Sequence, residues 1–119
     1  MLFRSWATTQ ALRTGMERLR DSVTPALVAQ EEGRLTAGEA GKLPAAVQAH
    51  VTYVMRNCQL APKADATLHV FLTRSLEGAA ELAADPHSYP GAEKLAAVLR
   101  DYPRYFDHPG WNAVPPARP

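Results

Sequence analysis

The side chains with the widest chemical repertoire in this chain are four histidines, one cysteine and three methionines. His50, His69, His108 and Cys58 fall on or beside apolar stripes rather than on polar faces, and so do Met16 and Met55. Imidazole, thiolate and thioether donors suit copper and haem iron, whereas carboxylate-rich sets suit di-iron chemistry. His50 lies between Val47 and Val54 on one helical face. Cys58, two turns further on, is roughly 12 Å away along the axis, too far to share one metal with it. A helical hairpin turning near Ala61 would set His69 opposite Val54 and Met55, offset from His50 by about one turn, near 5 Å. In that arrangement Met16 enters the same layer from another helix, and Asp65 lies beside Cys58 at the turn. The pool from which ligands for a copper ion are expected to be drawn is therefore His50, His69, Cys58 and Met55, with Met16 and His108 as the pair for a haem.

Each of these residues also has a plainer role. A half-buried histidine at a helix interface commonly serves as a hydrogen-bonded structural residue. A lone cysteine packs as a small hydrophobe, and methionine fills core gaps. Asp65 complements a helix dipole in a first turn. His87, after Asp85-Pro86, reads as solvated, and His108, before Pro109-Gly110-Trp111, could simply hold a turn.

Other chemistries lack their signatures. The chain contains no Gly-x-Ser-x-Gly, no phosphate-cradling glycine loop, no Cys-x-x-Cys and no His-Glu-x-x-His. The repeated Glu-x-x-His of di-iron bundles is missing too. Ser75 has no base at local spacing, so a hydrolase is not indicated. Thirteen Lys+Arg against 12 Asp+Glu leave a net charge of +1, too little basic field for phosphate-driven nucleic-acid binding. One cysteine excludes an internal disulfide. No apolar run approaches the roughly 20 residues that span a bilayer.

The elements that must position these residues are helical. Ala and Leu dominate the apolar content of this 119-residue chain, Ile is absent, and no stretch alternates apolar with polar. The spacing predicts an all-α protein, an antiparallel four-helix bundle of residues 1–108 followed by a tail over 109–119. A first helix from about Ser5 to about Gln30 carries Leu12, Met16, Leu19, Val23 and Leu27 on one stripe. It either stops at Ser22 or continues with a kink near Asp21, where Pro25 removes a ladder hydrogen bond; the apolar face resumed by Ala26, Leu27 and Val28 favours the kink. Thr36-x-x-Glu39 suggests a capping box on a short turn of helix, and Pro44 opens a second long helix to about Cys58. A third helix carries Ala64, Leu68, Leu72, Leu76, Ala79 and Leu82 and ends at Asp85-Pro86. A fourth starts at Pro90 and presents Leu95, Val98, Leu99 and Tyr102. The Pro-rich tail Val114–Pro119 reads as extended.

Gly15-Met16-Glu17-Arg18-Leu19-Arg20-Asp21-Ser22-Val23 resembles the start of the cytochrome b562 family. That resemblance covers one helix and implies a periplasmic four-helix bundle holding haem b between a methionine of its first helix and a histidine of its last. It carries the methionine onto Met16 and leaves His108, beyond Pro103, as the late histidine. A bacterial periplasmic setting would require an export signal, and Met1-Leu2-Phe3-Arg4-Ser5-Trp6 is too short and interrupted to supply its apolar core; the expected compartment is the periplasm if such a signal was trimmed and otherwise the cytoplasm. Two functions follow. The first is a small bundle binding copper or haem through inward His, Met and Cys side chains. The second is a non-catalytic interaction bundle, partnered by another protein or a second copy, in which those residues are core and Trp6, Trp111 or the tail makes the contacts. Neither involves nucleic acid or a membrane span.

Overall fold

The computed structural model describes residues 5–111. Most of them lie in four helices: α1 (Gln10–Glu31), α2 (Ala37–Asn57), α3 (Pro62–Ala84) and α4 (Tyr89–Tyr105). Two short strands, β1 (Trp6–Ala7) and β2 (Phe106–Asp107), form a parallel pair with Trp6 opposite Phe106. The all-helical expectation did not include this pair. Two residues per strand are too few to show any alternation, and the pairing joins segments that no local pattern links.

The first helix begins later than its apolar pattern suggests, because Thr9 caps it. The Thr9 hydroxyl accepts a hydrogen bond from the Leu12 amide at 3.1 Å, while Trp6 and Ala7 are drawn into the strand pair. Pro25 lies inside α1, which continues to Glu31 with a bend rather than ending at Ser22. Gly33, at φ 74°, then stops it in the left-handed conformation that glycine adopts without strain. The Gly33 and Arg34 amides donate to Gln30 and Ala29 carbonyls, at 3.1 and 2.8 Å, closing a Schellman turn.

The second helix departs from expectation in the other direction. The Thr36–Glu39 capping box opens all of α2, not a separate turn of helix. The Glu39 amide donates to the Thr36 hydroxyl (3.1 Å) and the Thr36 amide to the Glu39 carboxylate (3.0 Å). Those contacts hold the Glu39 carboxyl below its usual range. Pro44 consequently sits within the helix and not in its first turn. Proline does occupy the first turns of α3 and α4, at Pro62 and Pro90.

Consecutive helices pack on one another along the chain, and α1 meets α4 over a smaller area. Leu12, Met16, Leu19, Val23 and Leu27 all point into one core with Val47, Val51, Val54, Leu68, Leu72, Leu95 and Leu99. Fully burying such a side chain contributes about 1.5–3 kcal/mol. On α2 the buried stripe runs through Ala40, Leu43, Val47, Val51 and Val54. It is rotated from the expected face, so His50 and Cys58 flank the core without entering it.

Three glycines let helices approach closely. A Cβ on Gly15 would overlap Val54 across the α1–α2 contact. One on Gly78 would fall 2.8 Å from the Gly91 carbonyl oxygen, and one on Gly91 would fall 2.9 Å from Glu81 Cβ. Gly41, by contrast, has open space where its Cβ would be. One substitution thus has opposite signs at two helical glycines. Gly78→Ala is expected to lower the unfolding free energy by about 1–3 kcal/mol, since backbone must move. Gly41→Ala is expected to raise it by about 0.5–1 kcal/mol through helix propensity. Urea denaturation of the two variants beside the wild type checks both.

Candidate functional site

Two histidines, His108 inside the core and His50 at its margin, are each tied to partners on other elements. His108 is buried, its side chain fully removed from solvent. Its Nδ1 lies 2.8 Å from the Tyr102 hydroxyl on α4, and its Nε2 lies 2.9 Å from a Glu17 carboxylate oxygen on α1. Burial pushes the Tyr102 hydroxyl well above the usual phenol range, so it keeps its proton and donates it to Nδ1. In the neutral ring that bond fixes the tautomer: Nε2 carries the hydrogen and donates to Glu17.

An aromatic cage surrounds this chain of bonds. Trp111 packs across His108 and Tyr102 with ring centroids 4.9 and 4.8 Å away, and Phe106 stacks on Tyr102 at 5.4 Å. The Trp111 indole N–H donates to the Leu99 carbonyl (3.2 Å), and the Arg20 guanidinium lies 4.9 Å over the indole ring. Thr8 completes the closure by donating its hydroxyl hydrogen to the Asp107 carbonyl at 2.7 Å. Trp6 and Trp111 therefore pack against the core and are not free anchors.

A carboxylate, an imidazole and a phenol in sequence are the parts of a proton relay. Tyr102 is completely buried, however, so no substrate can reach the hydroxyl the relay would activate. What the arrangement does is mechanical. It fastens the segment after α4 onto α1 and α4.

The second histidine, His50 on α2, is half-buried and its Nε2 lies 2.8 Å from the Ser22 hydroxyl of α1. Burial, and next the Arg18 charge, push its pKa below the ordinary 6.5. Arg18 itself lies over the Tyr53 ring, 5.1 Å from its centroid.

The remaining candidates are dispersed. Met16 is in the core with no exposure. The chain does bring His108 against Glu17, the sequence neighbour of Met16, so the two haem candidates come from adjoining elements. Both ring nitrogens of His108 are nevertheless already taken. Met55 stands 56 % exposed at the surface instead of on the inner face. It follows Val54, and one residue is a rotation of about 100° away from the buried stripe. His69 is displaced from Leu68 for the same reason; it is exposed, with Asp65 of its own helix 3.5 Å away. Cys58 caps α2, half-buried, and burial pushes its thiol up although Thr9 hydrogen-bonds it. Ser75 is buried and donates to the Phe71 carbonyl one turn back, at 2.9 Å. Among the described residues no group of three or more His, Cys, Asp or Glu side chains is placed to hold a metal ion.

Tyr102 was read from the sequence only as part of the fourth helix's apolar face, and Glu17, Ser22 and Arg18 were given no site role. Their pairings join residues up to 91 positions apart. The signal that could have found them is positional: Glu17 and Ser22 each adjoin a stripe residue, Met16 and Val23, where a polar side chain meets the neighbouring helix. No family model, no curated protein and no solved structure matches the chain.

Two expectations follow. Tyr102→Phe leaves Nδ1 of a buried imidazole unpaired, and the unfolding free energy should fall by about 1–3 kcal/mol in urea denaturation. His50 binds a proton more readily unfolded than folded, so stability should drop as pH falls below about 6.5, towards its depressed folded value. His50→Gln, which keeps a donor towards Ser22, should show a smaller drop between about pH 7 and pH 5 when urea midpoints are compared.

Proposed function

We propose that this chain is a non-catalytic helical protein that works by binding another protein, its helices arranged as an antiparallel bundle. The arrangement is supported by contacts that run in opposite senses on paired helices: Gly15 of α1 lies against Val54 of α2, whereas Ser22 lies against His50. Connections of a few residues between successive helices favour the same geometry.

The observation that carries the functional reading is which side chains are free to meet a partner. The imidazoles of His50 and His108 are spent on Ser22, Tyr102 and Glu17, and Met16 is spent on the core. Val70, Tyr89 and Met55 stand at least half exposed. Methionine and tyrosine are enriched at protein interfaces relative to other surface. No helix among the described residues is long and apolar enough to cross a membrane, so these apolar groups are not part of a helical span.

The competing reading is a carrier of copper or haem b using His50, His69, Cys58 and Met55, or Met16 and His108. It requires the Ser22, Glu17 and Tyr102 contacts to open first. Titration of the purified, untagged protein with copper(II) and with haem, followed by visible absorption, separates the two. Interaction predicts no saturable binding of either, together with association in the native cell, detected by cross-linking, that Val70→Asp or Tyr89→Asp abolishes while helix content holds. Saturable one-to-one loading that disappears in a His50→Ala, His69→Ala double variant would overturn the interaction reading.

A further inference from the structure

On the α1–α2 face, four side chains make a square: Arg18 and Ser22 one turn apart on α1, His50 and Tyr53 one turn apart on α2. Ser22 meets His50 at 2.8 Å, and Arg18 lies 5.1 Å over the Tyr53 ring. Both carboxylates that flank the square on α1 are turned elsewhere. Glu17 is bound to His108 at 2.9 Å and Asp21 to Arg20 at 3.1 Å. Among the described residues Arg18 is in no ion pair, and its positive charge disfavours protonation of His50. The face thus presents an exposed guanidinium, held over Tyr53, for which the described residues supply no carboxylate partner.

We propose that Arg18 and Ser22, backed by His50, form a binding site for a tetrahedral dianionic oxyanion such as the phosphate of a monoester. The donors fit that class. Protonated His50 donates from Nε2 to the Ser22 oxygen, which frees the Ser22 hydroxyl hydrogen to point at the anion. Arg18 needs only to swing off Tyr53 to add two N–H donors from its planar fork. Three hydrogens from neighbouring turns of α1, with His50 of α2 behind Ser22, match three oxygens of a tetrahedral face, whereas a carboxylate offers two in a plane. Binding the anion draws a proton onto His50, so affinity for an anion of fixed charge such as sulfate rises as pH falls, whereas a phosphate monoester begins to lose its second charge near about pH 6. The site is independent of the interaction reading, since neither Val70 nor Tyr89 takes part in it.

The test follows the His50 ring proton by NMR during pH titration, in chloride and then in sulfate at equal ionic strength. Sulfate keeps its charge across the range, and inorganic phosphate serves as the second probe. Sulfate is expected to raise the His50 midpoint by more than about half a pH unit, and that of His87, in the α3–α4 connection, by much less. Arg18→Gln should abolish the difference, Arg18→Lys should retain part of it, and Ser22→Ala should weaken sulfate binding about tenfold. These exposed or half-buried positions can be changed without opening the core, and helix content is checked alongside. An equal rise at His50 and His87, a rise that survives in Arg18→Gln, or an equal response to acetate would overturn the proposal.

Discussion

A buried imidazole has to find partners for both its nitrogens, and in this protein that requirement organises one whole end of the molecule. His108 obtains one partner from α1 and the other from α4. The segment after α4 must therefore turn back across the helices, and Trp111 then lands on Tyr102 and His108 while Phe106 enters the core beside Tyr102. The same path sets Phe106 next to Trp6, which makes the strand pair. Remove the two hydrogen bonds and the aromatic cage loses the group it is built around. Leaving such a polar group unpaired costs more than the bond contributes when made, so the network acts as a constraint on where the chain can go.

The helices answer to a different physics. Stripes such as Leu12–Met16–Leu19–Val23–Leu27 are periodic in sequence, and periodicity survives translation into structure because burial depends only on which face a residue occupies. That is why α1, α3 and α4 could be read almost residue by residue, and why Ser5 as a starting point could not: a threonine cap and a strand contact, both tertiary in consequence, decided it. The capping box at Thr36 was visible, but its reach was not. A proline eight residues inside a helix is tolerated when the helix is already nucleated and its face packs on two neighbours.

The candidate ligands illustrate where pattern reading ends. Being beside an apolar stripe is compatible with facing inward or outward, since a step of one residue turns a side chain by more than a quarter of a circle. Met55 and His69 took the outward option, while His50 and Cys58 settled at the margin. Met16 and His108 went fully inside, and the partners of His108 came from 91 and 6 residues away. Pairings of that kind depend on how finished helices meet, which one-dimensional spacing does not encode.

The strand pair joins positions 100 residues apart and the Thr8–Asp107 bond positions 99 apart, whereas the contacts between successive helices close loops a fraction of that length. Closing a longer loop costs more entropy, though only logarithmically, and the reward here is a handful of hydrogen bonds and one aromatic cluster. The order of assembly follows. Helix hairpins form first from local contacts, and the Trp6–Phe106 seam closes last, once α1 and α4 already stand side by side. Under stress the same logic makes the seam the first part expected to open, a local unfolding unit whose amides should exchange with solvent before those of the helical core.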